Sequence, residues 1–494
     1  MTSKQLTALV IIFLYMVLTV VVGLVSSKMK QKKAAKKQSN EDFLMAGKSL
    51  GPVILACTLF AANTGGASTT GIATNVGTQG LSASWYVIAA GIGFVLVSFI
   101  APFFRRAQAS TVPQIINMRY GKPAHIVTAF TSIAALFMAT GSQIIATSTI
   151  INTVTGMDFN TTAIVVTIVV IAYTMVGGFA SVAAANMMHV GFITVGMTIA
   201  MIIMANNPVV GGFGNLFATA KTVTDAQGMN LDLLSMTKVG VPAILGYVAM
   251  YCTTFPTGQE IVQTYCSAKD AKSAKIGSVI AGVLSSAYAI VPALIGLMAF
   301  TFIDGFAADA TLHKNALAAS TMEFAPAVIA GIVLSAVVAA TISSASGNMI
   351  GTATLFTNDV FRPYMNKGEK NDTKEIWISR IVMVLAGCVG LAVALSGSNI
   401  ISIMMSAFAL RSAGPFAAFV CGLFYKKVTK NAGFLSIVFG TAVAAVWIYV
   451  LGTPFKLNAA IPASLVAFAV IFIVSIVEGK KGVEAAPELV LENN

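Results

Sequence analysis

The run Ala61-Ala62-Asn63-Thr64-Gly65-Gly66-Ala67-Ser68-Thr69-Thr70-Gly71 lies in the middle of a hydrophobic segment spanning about residues 52 to 77. A segment of that length can cross a bilayer as one helix. Its centre argues against one. Each of the adjacent Gly65 and Gly66 costs roughly 1 kcal/mol against alanine in a helix interior, and Ser68, Thr69 and Thr70 are residues of the kind that caps a new helical start. The competing reading is an unbroken helix whose glycines let a neighbouring helix approach closely. A second stretch weighs against it. Tyr251-Cys252-Thr253-Thr254-Phe255-Pro256-Thr257-Gly258 sits inside the segment from about 240 to 262, where Pro256 lacks a backbone donor and clashes with the preceding turn. Breaks are therefore expected at Gly65 and Gly66, and again at Pro256 and Gly258.

The 494 residues are 57% hydrophobic and only 10% charged, with a mean hydropathy of +0.85. Such a chain is an all-α integral membrane protein whose first partner is the lipid bilayer. Thirteen apolar segments can be read, at about 6–27, 52–77, 83–104, 125–153, 161–176, 179–204, 240–262, 276–302, 327–355, 377–396, 399–425, 432–452 and 459–478. The connections are too short for an independent soluble catalytic domain, so an enzyme is not expected; the longest gaps, 205–239 and 303–326, read as loops. The net charge of +12 would point to nucleic acid in a soluble protein. Here its distribution reports orientation. Apart from Lys4, Lys221, Lys238, Lys314, Lys456 and the intramembrane Arg411, the basic residues, 24 of the 30, fall after segments 1, 3, 7, 9 and 11 or in the C-terminal tail. The positive-inside rule then puts the N-terminus outside and the C-terminus inside, with no nucleic-acid partner and no obligate protein partner evident. Only Lys4 precedes segment 1 and a lysine cluster from Lys28 to Lys37 follows it, which reads as an N-out anchor rather than a cleaved signal. Cys57, Cys252, Cys266, Cys388 and Cys421 lack CxxC spacing, so no disulfide framework or metal site follows.

The two breaks lie five segments apart, so segments 2–6 and 7–11 make two five-helix halves that run in opposite directions. Paired interrupted helices in an inverted repeat are the sequence mark of a transporter's central site, because half-helix ends carry uncancelled dipoles and unwound carbonyls bind cations. The halves share no residue-level identity. A third polar stretch, Ala339-Ala340-Thr341-Ile342-Ser343-Ser344, lies inside the apolar run 327–357. With Ser346 it places four hydroxyls within about one and a half helical turns, without a carboxylate or histidine among them. An unpaired hydroxyl in hydrocarbon costs roughly 2 to 7 kcal/mol. The cluster fits a bare alkali cation, and it also fits a packing face, to which small residues at membrane helix contacts generally belong. Read alone it leans to packing.

Four motifs stand in order along the chain: Asp42-Phe43-Leu44-Met45-Ala46-Gly47-Lys48; Tyr173-Thr174-Met175-Val176-Gly177-Gly178-Phe179-Ala180-Ser181; Gly258-Gln259-Glu260-Ile261-Val262-Gln263-Thr264-Tyr265, continued by Ala268-Lys269-Asp270-Ala271-Lys272-Ser273-Ala274-Lys275; and Thr354-Leu355-Phe356-Thr357-Asn358-Asp359. Together they resemble the sodium:solute symporter family, which includes sodium-coupled glucose, proline, pantothenate, iodide and sialic acid carriers. The resemblance implies a leucine-transporter-type inverted five-plus-five helix repeat, preceded by one helix and followed by two, about 13 transmembrane helices in all, N-out and C-in. The chain then divides into an extra helix and basic cytoplasmic loop (1–48), a first repeat (49–204), a second repeat with an extracellular loop (205–426), two further helices (427–478) and a cytoplasmic tail (479–494). The resemblance also implies one transported sodium ion between the first break and the eighth core helix. Its ligands would be the carbonyls of Ala61, Thr64 and Ala340 and the hydroxyls of Ser343 and Ser344, a set that suits a monovalent cation. Two positions depart from the family. Asn186 replaces an aspartate that supports a second sodium in some members, and reads better as a hydrogen bond between helices; Thr264 replaces a basic residue.

By the same resemblance Ser68, Thr69, Tyr86, Tyr251, Thr254, Phe255 and Tyr288 line the place where relatives hold their solute. The charged and amide groups of sugar carriers are missing there, so a sugar is not expected, although the tyrosines serve equally well as packing or interface anchors. Arg411 costs at least about 2.5 kcal/mol on insertion and needs a cavity or a partner. With a half-helix N-terminus at Ser68 and Thr69 attracting anions, it favours a carboxylate-bearing solute: an amino acid, a monocarboxylate or a pantothenate-like molecule. The alternatives are a structural ion pair, with Glu260 as candidate partner, or a snorkelling side chain. His189, alone near a helix mouth, reads as a satisfied polar residue rather than a proton relay. The expectation is a sodium-coupled secondary active symporter in the plasma membrane, the inner membrane if the source is bacterial. A solute sensor or an ion channel on the same fold is the alternative; the tail after Glu478 is short for a signalling domain.

Overall fold

The computed structural model describes residues 2–34, 48–107, 109–397 and 399–487, and its regular structure is helical apart from two isolated bridges. The motif 42–47 lies outside the described residues, as do the side chains of 176–181. Among the described residues, ten helices are long and apolar enough to cross a membrane, by length and composition. The chain runs through α1 (Ser3–Ala34), α2 (Pro52–Asn63), α3 (Ile72–Gln79), α4 (Trp85–Val97), α5 (Val112–Tyr120), α6 (Lys122–Thr155), α7 (Phe159–Gly191), α8 (Met197–Ala205), α9 (Val241–Thr254), α10 (Gln259–Cys266), α11 (Ala271–Tyr288), α12 (Ile290–Phe302), α13 (Ala327–Leu355), α14 (Asp372–Ala394), α15 (Ile400–Phe424), α16 (Lys430–Ala445) and α17 (Ala460–Lys480).

All thirteen predicted segments are helical, yet they are not thirteen separate membrane-length helices. The two breaks leave α2 and α9 as short pieces, and Ala67–Val97 continues from the second half-helix through a 3-10 turn at Gly80–Ser84 into α4. The segments predicted at 161–176 and 179–204 share α7, which a π turn at Phe192–Gly196 connects to α8. No proline separates them, and Gly177 and Gly178 do not stop the backbone hydrogen bonding. The gaps read as loops each hold a short helix, Gly212–Ala220 and Ala316–Phe324. Helix starts follow capping chemistry: Thr111, Asp158, Asp270, Asn371, Asn399 and Thr429 each accept from backbone N–H groups of the first turn. The third motif therefore has a structural part, since Asp270 caps α11 at 2.7 Å from the Ser273 nitrogen, and that bond holds its carboxyl below the usual carboxylate range.

The packing is reciprocal between the halves. α2 packs on α11, and α9 packs on α4; α4 and α11 meet each other, as do α6 and α13. α6 lies against α14 and α15, while α13 lies against α7 and the Phe192–Ala205 run. Exchanging the halves maps these contacts onto one another, with α4–α11 and α6–α13 mapping onto themselves, the relation a two-fold pseudo-symmetric repeat requires. At α4 and α11 the backbones touch: a Cβ on Gly91 would stand 2.6 Å from the Gly282 carbonyl, and one on Gly282 2.7 Å from the Gly91 carbonyl. α1 covers α13 and α7, and α16 and α17 pack on α15 and on each other.

Candidate functional site

The first break begins at Thr64, whose φ of −94° and ψ of 69° leave the helix while its N–H still donates to the Phe60 carbonyl at 2.8 Å. A π turn over Ala67–Gly71 then leads into α3. Ser68 Oγ donates to the Asn63 carbonyl at 2.7 Å and Thr69 Oγ1 to the Gly65 carbonyl at 2.8 Å. Neither caps the second half-helix as predicted; both satisfy carbonyls that the break has freed. The freed Gly66 N–H donates instead to Gln143 Oε1 of α6, at 2.7 Å. A Cβ on Gly65 would lie 2.3 Å from that oxygen, and one on Gly66 2.2 Å from Ala146 Cβ. The glycines thus serve both readings at once, since they break the helix and admit α6. Gln143 was not singled out in the sequence, although an amide inside the segment 125–153 is its own signal.

The second break also falls where the sequence puts it. α9 ends at Thr254, Thr257 donates its N–H to the Thr254 carbonyl at 3.2 Å and its hydroxyl to the Thr253 carbonyl at 2.8 Å, and Gly258, at φ −81° and ψ 118°, opens α10. Two family motifs meet just beyond. Gln259 donates to the Ser110 carbonyl at 3.0 Å and accepts from the Val112 N–H at 3.2 Å. Asp359 accepts from Thr111 Oγ1 at 3.0 Å and lies 2.9 Å from His125 Nε2. Both motifs grip the start of α5, a junction the sequence did not reveal.

The four hydroxyls of α13 face three different helices, α2, α6 and, twice, α7. Thr341 Oγ1 lies 2.6 Å from Thr147 Oγ1 of α6, and Ser346 Oγ accepts from Thr174 Oγ1 of α7 at 2.8 Å. Ser343 donates to Asn186 Oδ1, the interhelical bond expected of that asparagine. Ser344 Oγ donates to the Ala61 carbonyl at 2.9 Å, joining α13 to the last turn before the first break. Between these groups lies a cavity of about 20 Å³, lined by Thr58, Asn186, Glu260, Thr264, Ser343 and Ser344 among others. It has room for about one water-sized species. Ala340 and Thr64 are fully buried and do not line it, while Thr64 Oγ1 and Asn63 Nδ2 find no hydrogen-bond partner among the described residues.

Of the predicted solute residues, Tyr86, Tyr251, Thr254 and Phe255 come together. Tyr86 packs edge-on against Tyr251 at 5.5 Å and Tyr247 at 5.8 Å; Tyr251 contacts Phe255 at 5.1 Å and Phe408 at 6.0 Å; and Phe255 stacks on Phe94 at 4.1 Å. Thr254 Oγ1 donates to the Phe408 carbonyl at 3.3 Å. Tyr247, Phe94 and Phe408 belong to this cluster although the sequence reading omitted them. Tyr288 does not: its ring packs edge-on against Phe60 at 5.8 Å and its hydroxyl donates to Met197 Sδ at 3.1 Å. Ser68 and Thr69 have their hydroxyls committed to the first break. Cavities of about 460 and 490 Å³ both reach Thr78 of α3, the first lined by Lys238, Tyr247 and Asn458, the second by Gly71, Asn75, Lys314 and Asn399. That size suits a small organic molecule.

Arg411 corrects the carboxylate argument as it was made. The side chain is 1% exposed, Nη1 donates to Glu260 Oε2 at 2.7 Å and Nη2 to Oε1 at 2.5 Å, and the guanidinium carbon lies 4.7 Å from the Phe408 ring centroid. Of the competing readings, the geometry has the ion pair with Glu260. Gly258 makes space for it, since a Cβ there would come 2.7 Å from Nη2. Removing one partner of such a pair typically costs about 3 to 5 kcal/mol, so in this conformation the arginine offers no free charge to a solute. His189 is buried, with Nδ1 3.1 Å from the Tyr15 hydroxyl, which ties α1 to α7.

The comparisons with known proteins agree with this architecture. The model of the Sodium:solute symporter family matches residues 43–440. A high-affinity proline transporter of Bacillus subtilis is 25% identical over 438 residues, covering 84% of this chain and 88% of the relative. A sodium/glucose cotransporter of Vibrio parahaemolyticus is 25% identical over 454 residues, covering 86% and 82%. Among solved structures, a substrate-bound, outward-open Na⁺-coupled sialic acid symporter superposes with a TM-score of 0.79 at 18% identity, over 98% of this chain and 99% of that one. MhsT in complex with L-phenylalanine superposes with a TM-score of 0.53 at 15% identity, over 87% and 98%. The fold is that of the leucine-transporter-type carriers.

Proposed function

The chain belongs to the sodium:solute symporter family of multi-pass plasma-membrane proteins, and from that premise we propose that it imports a small organic solute by sodium-coupled alternating access. One sodium ion binds between the first break and α13, on the carbonyls of Ala61, Thr64 and Ala340 and the hydroxyls of Ser343 and Ser344. The observation that carries this reading is the 2.9 Å bond from Ser344 Oγ to the Ala61 carbonyl. It joins the two elements the cation has to bridge, and an ion between them replaces one hydrogen bond with two oxygen ligands. These five oxygen ligands are neutral and the carboxylate beside them, Glu260, is held by Arg411, so the site holds sodium weakly enough to release it on the far side. The solute sits at the second break, against Tyr86, Tyr251, Thr254 and Phe255.

External sodium stabilises the outward-open core, the solute binds, and the halves rock to release both inside. The N-terminus lies outside, which puts the two large cavities at the outer mouth, bordered by Lys238 and Lys314. The test is uptake into proteoliposomes under an inward sodium gradient. The Ser343→Ala/Ser344→Ala variant should lose sodium-driven uptake of any solute the wild type accepts, by at least tenfold at micromolar solute. Unchanged uptake sinks the assignment of these hydroxyls, and sodium conduction by the wild type with no solute present would make it a channel.

A further inference from the structure

The Arg411–Glu260 pair stands between the two regions assigned to the cargoes. Glu260 lines the small cavity with Asn186, Ser343 and Ser344, and it is the carboxylate lining a space whose other polar groups are neutral. Arg411 lies on the other side, against Phe408. The Phe408 ring meets Tyr251, and its carbonyl takes the Thr254 hydroxyl. Both charges are withdrawn from solvent, at 1% exposure for Arg411 and 9% for Glu260. Arg411 Nε is buried and finds no hydrogen-bond partner among the described residues, so at least one of the three N–H groups beyond the two that hold Glu260 is unpartnered. The pair also crosses a mechanical joint. Glu260 is in the first turn of α10, directly after the second break, and Arg411 is inside α15.

We propose that this pair couples the two cargoes: it parts only when a sodium ion takes Glu260 and a carboxylate group of the solute takes Arg411. The proposal deepens the symport reading and rests on it. The physical reason is that a buried charge can exchange partners far more easily than it can lose one. Sodium alone would leave Arg411 unpaired in the membrane, and an anionic solute alone would leave Glu260 unpaired. With both present every charge keeps a counter-charge, and α10 is released from α15. The solute class follows, because a carboxylate, with two oxygens in one plane as in Glu260, replaces both arms of the bidentate contact, whereas its neutral amide, with one acceptor oxygen, does not. Arg411 then receives the solute in the exchanged arrangement, while in the paired one it holds Glu260.

The experiment uses the purified full chain in proteoliposomes. Sodium-22 flux is measured with no solute and with proline, pyruvate and lactate, each beside its amide. In the wild type, at least one carboxylate should raise sodium flux tenfold or more, and its amide should not. In the neutral variant Glu260→Gln/Arg411→Gln no pair has to be split, so solute-free sodium flux should rise to within about threefold of the stimulated wild-type rate, and discrimination between acid and amide should disappear. A folded neutral variant that stays as tight as the wild type and keeps its preference for the acid would overturn the proposal. Should that variant fail to fold, the wild type still decides: an amide that drives sodium as well as its acid, or no response to any of the carboxylates, overturns it. Failure of the symport reading looks different. In that case the wild type shows no sodium-dependent uptake of any solute, whereas failure of the coupling proposal alone leaves sodium-driven uptake intact.

Discussion

Gln143 is the residue on which the first break depends, because its amide oxygen is the partner recorded for the Gly66 N–H. Gln143→Leu should leave that buried donor unpaired and cost about 1 to 3 kcal/mol, read as a lower thermal midpoint with a matching loss of uptake; an unchanged midpoint would mean that the break is held some other way. The residue scale is also where the sequence was least legible. The hydroxyl run could be seen, but at 100° per residue Thr341, Ser343, Ser344 and Ser346 cannot face one site, and which partner each meets is decided across the fold. Ser344 and Ala61 are 283 residues apart, and Ser343 and Asn186 157. Spacing alone favoured packing, and all four hydroxyls do bond to another helix; the family resemblance is what proposes Ser343 and Ser344 for sodium. Tyr288 was misassigned to the solute cluster for the same reason, since its partners Phe60 and Met197 lie on α2 and α8.

The breaks themselves were legible because their cause is local. Adjacent glycines in one segment, and Pro256 with Gly258 in another, disfavour a helix whatever surrounds them. Absences of helix are harder to read than helices: the join between 161–176 and 179–204 looks like a boundary from its two glycines and is not one in α7. The first break has a second requirement that the sequence did not show, the close approach of α6. Gly66→Ala should push its Cβ into Ala146, which stands 2.2 Å from that position. Transport and thermal stability should both fall, and Gly66→Ala/Ala146→Gly should recover most of the loss. If the second substitution restores nothing, the loss comes from the Gln143 amide and the Ser142 carbonyl, each 3.4 Å from the same Cβ, and not from the Ala146 contact.

At the scale of the whole molecule, the reciprocal packing of the two halves makes α4 and α11 a shared axis. Gly91 and Gly282 are equivalent across it, so Gly91→Val and Gly282→Val should each destabilise the purified protein by a similar amount, about 1 to 3 kcal/mol for overpacking. A large difference between the two would contradict the two-fold relation. The two breaks five segments apart pointed to two inverted halves, and the family resemblance implied the five-plus-five arrangement. The reciprocity could not be read there, because the halves share no residue-level identity. The same architecture places the Ala61 carbonyl, in the first half, beside Ser344, in the second. Sodium-dependent thermal stabilisation tests that juxtaposition most directly, since a ligand at a hundredfold excess over its dissociation constant stabilises by about 2.7 kcal/mol. The wild type should gain stability when potassium is exchanged for sodium, and Ser343→Ala/Ser344→Ala should not. An equal gain in both proteins, or none in the wild type, would contradict a sodium site between the first break and α13.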